Sequence, residues 1–412
     1  MAARSTNARE ICGKRERGDR QWAMGYGLLQ LPLAHFLSPI AYRPLPIAIF
    51  LVLLRFAVMK DYFTIDAVLG QDKAKAMLRR AVLGERLAHA YLFRGPSGVG
   101  KKTLARAFGN YLNCLSPTPA QDACGHCSSC RKLQGNNHPD RLIIEPDGVA
   151  IKIAQIRELK RALSFPPLEA NLRTVLLCDV HTMRREAANS LLKLLEEPPP
   201  GNLLILTGDA ASEILPTITS RCQQIPFTSL PLTQVADKLT AESLARETAA
   251  ALKAPSKKNL EPPRQYIISP EIAATLAALT DGSLGQARRL AESPLLELRR
   301  QIITRLLELR PGRPETAEAI LSLAESSSES SEHLSELLGL LKLWFRDLYL
   351  MHQGQPQRIV NRDLGEALTQ GLRRWPFSGL APRLALFEKA ERQLARNCNR
   401  ALVCEVLYFG LL

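Results

Sequence analysis

The sequence predicts an α/β core, a parallel sheet with flanking helices, followed by two helical segments. Two observations carry this. Short apolar runs alternate with helical patterns from residue 59 to about 230, and after Pro231 no strand pattern returns. The runs are AYLF (90–93), LIIE (142–145), TVLLCD (174–179) and LLILT (203–207). TVLLCD reads as a strand buried on both faces, and the helical pattern after it, 184–197, stops at Pro198, Pro199 and Pro200.

At 412 residues, with 46% hydrophobic and 23% charged residues, the chain has the length for two or three domains and a composition that excludes a disordered polymer. The formal net charge of +14 suits a nucleic-acid partner, but charge alone is a weak argument. Part of the excess lies in residues 1–58, where Arg4, Arg9, Lys14, Arg15, Arg17, Arg20, Arg43 and Arg55 face only Glu10, Glu16 and Asp19. The apolar run 47–54 in that stretch is broken by Arg55 and falls short of the roughly twenty apolar residues a membrane span needs. It also lies too late for a secretory signal. Residues 1–58 therefore read as an extension ahead of a natural start at Met59, an anchor or targeting arm being the alternative. The expected location is cytoplasmic, with no membrane partner. The five scattered cysteines, Cys12, Cys178, Cys222, Cys398 and Cys404, read as reduced core residues, which fits a reducing compartment.

The first motif follows the first run. Gly95-Pro96-Ser97-Gly98-Val99-Gly100-Lys101-Lys102-Thr103 stands between a strand and a helix. Glycines let successive N–H groups turn toward an anion, the helix start adds its positive end, and Lys101 reaches the terminal phosphates of ATP or ADP. A plain glycine turn is the bland alternative. One position departs from the pattern: the residue after Lys101, which should offer a hydroxyl to Mg²⁺, is Lys102. Thr103 comes one place late, rotated by roughly 100° on the helix. An ATPase also needs an acid for the metal and a second acid for the attacking water at a neighbouring strand end. That strand ends Leu177-Cys178-Asp179-Val180-His181, so in either of two registers the acidic pair is incomplete.

Cys114, Cys124, Cys127 and Cys130 form C-x9-C-x2-C-x2-C. Four thiolates so spaced can surround one structural Zn²⁺ with no open position, disulfides being the competing account. His126 and His138 nearby read as solvent-facing or loop-packing residues, and His181 as packing at its strand end.

Further along stand Asn189-Ser190-Leu191-Leu192-Lys193-Leu194-Leu195-Glu196-Glu197-Pro198-Pro199 and Ser220-Arg221-Cys222. With VLGQ (68–71), the phosphate loop and the four cysteines, these resemble the clamp-loader AAA+ family, and within it the bacterial delta-prime group of DNA polymerase III, from Val68 to Leu412. The resemblance implies an AAA+ core at 59–230 with a zinc module at 114–130, a helical lid at 231–297 and a helical collar at 298–412. It implies a stator that supplies Arg221 as an arginine finger in trans, while tau/gamma motor subunits hydrolyse ATP. The implied partners are tau/gamma and delta subunits in a hetero-pentamer, a sliding clamp and primed DNA. Taken alone, Arg221 would read as a surface salt bridge. Thr207 stands where the family has its first sensor, or is a strand-end hydroxyl serving local backbone. Gly285 takes the place of the motors' sensing arginine, with Arg288 and Arg289 at another offset.

The lid is interrupted by the polar loop 254–264, and the run ESSSESSE (325–332) reads as an exposed loop or frayed helix end. Trp344, Phe345, Leu348 and Tyr349 read chiefly as bundle core. Two rival functions remain open: an ATP-hydrolysing motor of the tau/gamma kind, and a zinc-containing nucleic-acid-binding module. The second expects aromatics and cations around the cysteines, which PTPAQDACGHCSSCRKLQGNNHPD lacks.

Overall fold

The computed structural model describes residues 63–210, 214–251, 268–329 and 333–412; the extension 1–58 and the loop 254–264 lie outside them. Helix α1 (Asp72–Leu83) precedes β1 (Ala90–Gly95), and the glycine loop joins β1 to α2 (Lys101–Leu112). Helix α3 (Ser128–Gln134) sits in the cysteine segment. Then come β2 (Arg141–Ile144), α4 (Ile153–Leu163), β3 (Arg173–Leu177), α5 (Arg185–Glu196), β4 (Asn202–Asp209), the short α6 (Pro216–Thr219) and β5 (Gln223–Pro226). The pairings are all parallel, in the order β2-β3-β4-β1-β5.

Side chains alternate across the sheet, as a two-residue period requires. Ala90, Leu92, Val175, Leu177, Leu204 and Leu206 pack with α4 and α5, whereas Tyr91, Phe93, Leu176, Leu203 and Ile205 pack with α1 and α2. Both faces are covered, which is why these strands read as unbroken apolar runs. β5 escapes that reading: Ile225 is its one buried residue and it closes in Pro226, both compatible with a sheet edge.

The helical remainder comprises α7 (Leu232–Ala251), α8 (Pro270–Leu279), α9 (Leu284–Glu292), α10 (Leu295–Glu308), α11 (Pro314–Glu329), α12 (Leu334–His352), α13 (Gly365–Arg374), α14 (Phe377–Ala395) and α15 (Arg400–Leu411). The expected boundary between 297 and 298 falls inside α10, and one buried apolar cluster runs from Leu230 to Leu411. The two helical segments expected from the sequence thus share a core. Trp344, Phe345 and Leu348 are fully buried in it, with the Trp344 and Phe345 rings edge to face at 5.1 Å. Of the two expectations for the serine-rich run, exposed loop or helix end, the described residues form the second: α11 runs as far as Glu329. Ser327 is fully buried, with its hydroxyl 2.7 Å from the Leu323 carbonyl and 2.7 Å from the Tyr408 hydroxyl. Bonding back to the preceding turn lets a poor helix former sit there once a neighbouring helix covers it. No helix among the described residues is long and apolar enough to cross a membrane.

A buried carboxylate shapes the loop before β3. Asp140 accepts hydrogen bonds from the N–H groups of Leu168 (2.8 Å), Glu169 (2.7 Å) and Ala170 (2.8 Å), with Arg173 Nε at 3.4 Å. Burial favours the neutral acid, but the backbone donors and Arg173 outweigh it and hold the carboxyl below its ordinary 3.8. A depressed folded pKa contributes stability that is full above the unfolded value and lost as pH falls through the folded one. The thermal midpoint should therefore drop on acidification below 3.8. Asp140→Asn should cost about 2 kcal/mol at neutral pH and flatten that acid limb, as read by melts across pH.

Candidate functional site

The carboxyl ends of β1, β4 and β3 place the glycine loop, Thr207 and Asp179 on one edge of the sheet, where open α/β sheets bind ligands. Gly98 and Gly100 take φ of +76° and +100°, the left-handed region that a side chain resists. Gly100 is also the N-cap of α2 and offers no capping oxygen, so no side chain competes with an anion for the first amides of the helix. Lys101 is buried, its Nζ 2.5 Å from both the Gly95 and Pro96 carbonyls. Burial lowers its pKa, with Asp209 and Asp179 opposing. The cleft formed here has a volume of about 290 Å³, near the lower end for ligand pockets, and is lined by residues 97–103, Asp179, Leu284, Gly285, Arg288 and Arg289 among others.

Of the two strand-end residues, Asp179 faces the cleft, whereas Cys178 is fully buried among apolar side chains and burial pushes its thiol up to about 11. Asp179 is held at φ 54°, its N–H donating to Thr207 Oγ1 at 3.0 Å and its carbonyl accepting from Thr182 Oγ1 at 2.8 Å. The Thr207 hydroxyl thus serves the local backbone. Lys102 Nζ lies 2.8 Å from Asp179 Oδ2 and 3.8 Å from Glu145 Oε1. Partial burial works to lower the Lys102 pKa, but the Asp179 hydrogen bond and nearby negative groups outweigh it and keep the ammonium charged. Glu145, at the β2 end, was not singled out from sequence; strand order was needed to bring it beside Lys102. Mg²⁺ requires near-octahedral oxygen ligands at about 2.0–2.1 Å. With Lys102 in the hydroxyl's place and paired to Asp179, the one acid lining the cleft among the described residues, the residues present do not fit that ion. Phosphate oxygens do fit the uncapped amides.

The start of α9 closes over the loop. Ser283, its N-cap, donates through Oγ to the Ser97 carbonyl at 2.7 Å, and Gly285 N–H donates to the Gly98 carbonyl at 2.9 Å. A Cβ on Gly285 would come within 2.9 Å of Gly98 Cα, so this position excludes any side chain, not only arginine. Arg288 pairs with Glu242, its Nε 2.8 Å from Oε2. Arg289, exposed at the cleft mouth, has no side-chain partner among the described residues. A serine before a helical pattern is a legible cap, but its reach to Ser97, 186 residues away, is not. Gln71 was quoted only as part of VLGQ, yet its Nε2 bridges the Val99 carbonyl (3.2 Å) and the Thr228 carbonyl (2.7 Å).

Arg221 follows α6 and precedes β5. Because Gln223 pairs with Tyr91, at the amino end of β1, Arg221 stands across the sheet from its own glycine loop, about 13 Å or more along the strands. Its side chain is 36% exposed, with the guanidinium 2.7 Å from Glu196 Oε1 and 3.0 Å from the Thr217 carbonyl. Glu196 was legible as part of LLEEPP but not as the partner of this cation.

The four cysteines converge: all their Sγ atoms lie within 4.8 Å of one another, with Cys130 3.6 Å from Cys114 and 3.9 Å from Cys124. A tetrahedral Zn–S bond of about 2.3 Å sets sulfurs roughly 3.8 Å apart, so the set fits a metal ion such as zinc. All four are free thiols. N–H groups of Cys124, Cys127 and Cys130 point at the Sγ atoms of Cys114, Cys124 and Cys127, at 3.3, 3.4 and 3.3 Å. Burial opposes ionisation of Cys127, but the N–H groups of Cys130 and Leu115 and the neighbouring Cys130 and Cys124 thiols outweigh it and bring the Cys127 thiol down to about 6. Phe63 packs on the cluster, and Asp122 accepts from Ile65 and Asp66 N–H at 2.9 Å each, tying the knob to the start of the core. His126 is exposed and His138 is buried against Asp140 N–H; neither joins the sulfurs. His181 receives the Asp209 N–H at 3.3 Å, at the strand end.

Family models described as "DNA polymerase III, delta subunit" and "DNA polymerase III, delta subunit, C terminal" match residues 70–231 and 294–409. The DNA polymerase III subunit delta' of Bacillus subtilis is 26% identical over 332 residues, 80% of this chain and 92% of that protein. The subunit delta' of Pseudomonas aeruginosa is 35% identical over 220 residues, 52% of this chain and 60% of that protein. The subunit tau/gamma of Haemophilus influenzae is 34% identical over 195 residues, 46% of this chain but 28% of that protein. The match thus spans most of the Bacillus relative and less than two thirds of the other two.

Proposed function

The chain belongs to the DNA polymerase III delta-prime family of clamp-loader AAA+ subunits, and we propose that it serves as the stator of its loader, giving Arg221 in trans to a neighbouring subunit's ATP. The position of Arg221 carries this reading. It stands across the sheet from its own cleft, half-exposed, so the phosphates it can approach are another subunit's. A planar guanidinium there would stabilise charge on the transferring phosphoryl group. In this reading the neighbours are tau/gamma and delta subunits of a hetero-pentamer acting on a sliding clamp and primed DNA. Residues 114–130 hold one structural zinc, and the helices from α10 onward serve as collar.

The chain's own cleft supports the same role. Lys102 is paired with Asp179, the one acid lining the cleft among the described residues, Val180 and not a second acid follows Asp179, and Gly285 stands against the loop where a motor would carry an arginine. Steady-state ATP hydrolysis by the full chain alone, with clamp and primed DNA, should be indistinguishable from background. A mixture with the cognate motor and delta subunits should turn ATP over. Robust turnover by the chain alone would instead make it a motor.

A further inference from the structure

We propose that Lys102 takes the place of magnesium in this chain's own cleft, so that the glycine loop binds the phosphates of a nucleoside diphosphate or triphosphate without a divalent cation. The proposal rests on reading the loop as a phosphate site and is independent of any role for Arg221. In a loop with a hydroxyl after the lysine, the metal sits between that hydroxyl, the strand-end acid and the phosphates. Here the gap holds the Lys102 ammonium, 2.8 Å from Asp179 Oδ2.

This is a built arrangement and not a chance surface pair. Asp179 is fixed through its own N–H to Thr207 Oγ1 and through its carbonyl to Thr182, with its backbone in the left-handed region. Its carboxylate is thereby presented to α2, one turn of which carries Lys101 and Lys102. The Lys101 ammonium lies under the loop on the Gly95 and Pro96 carbonyls, and the Arg289 guanidinium stands at the cleft mouth without a partner among the described residues. Among the described residues the cleft lining thus sets Lys101, Lys102 and Arg289 against one carboxylate, Asp179, with Asp209 acting on Lys101 and Glu145 on Lys102 from behind the lining. A terminal phosphate brings about −1.5 to −2 charges at neutral pH, which such a cleft can balance unaided. A divalent ion placed there would meet an ammonium that cannot serve as a ligand.

The test is calorimetric titration of ADP into the full chain, in MgCl₂ and again in EDTA, with Lys102→Ser in parallel. The wild type is expected to give dissociation constants equal within about twofold in the two buffers. Lys102→Ser should bind at least tenfold more weakly in EDTA and recover in MgCl₂, because the serine restores a metal ligand. The proposal is overturned by wild-type binding that is tenfold tighter with magnesium, by absence of binding at millimolar ADP, or by EDTA binding of Lys102→Ser equal to wild type. Should the variant fail to fold, the wild-type pair of titrations decides alone. ATP turnover by the chain, the measure of the stator reading, is read separately, so either idea can fail without the other.

Discussion

Replacing Arg221 with alanine should leave a folded, assembling subunit whose loader loses about 10³-fold or more of its ATP turnover at the single site this chain serves. Stability should barely change. Arg221 is 36% exposed and its ion pair with Glu196, itself 46% exposed, is of the kind that contributes about 1 kcal/mol or less. A shift of that size is easily separated from a thousand-fold rate effect by melting the variant first. Arg221→Lys sharpens the argument: it keeps the charge but not the planar fork, so a role in phosphoryl transfer predicts continued impairment. Glu196→Gln should act in the opposite sense, releasing the guanidinium without removing it, and should leave turnover equal to or above wild type. An Arg221→Ala loader that matches wild type would remove the trans finger and leave the surface salt bridge as the account of this residue.

The parts legible in sequence are those whose signal is local. Four strands announced themselves because both sheet faces are covered, which forces continuous apolar runs such as TVLLCD. β5 did not, since an edge strand with one buried residue has no pattern to show. The defect at Lys102 was plain from spacing alone, but its ion pair with Asp179 was not, because two registers fitted the strand end and only the fold turns Cys178 inward. Gly285 read as a missing arginine; that the site rejects any side chain came from its approach to Gly98, across the whole core. The run that holds Ser327 reads as an exposed loop or frayed helix end, and nothing local in it shows that a partner 81 residues away, Tyr408, meets the Ser327 hydroxyl in the core. The continuous core from Leu230 to Leu411 likewise could not be inferred, since leucine stripes reveal which face is buried but not which neighbour buries it.

The second large effect concerns the cysteine knob. Purified protein should carry one zinc per chain by metal analysis, and Cys130→Ser should carry none. Cys130 is the fully buried member of the set, with sulfur neighbours at 3.6 and 3.9 Å, so a serine oxygen there is both a poor zinc ligand and a polar group left in an apolar corner. Structural zinc supplies about 10–16 kcal/mol to isolated zinc-finger peptides, an upper bound here because α2 and β2 anchor the segment at both ends. The loss should therefore be regional. Residues 114–130 are expected to gain fast amide exchange and protease cutting, and the start of the core should loosen with them, since Asp122 holds the Ile65 and Asp66 amides and Phe63 rests on the sulfurs. The sheet, whose own clusters do not include these cysteines, should keep its protection. A Cys130→Ser protein that retains full zinc, or native protein that contains none, would refute the assignment. Global unfolding in place of regional loosening would show that the knob supports the whole core and not only its first residues.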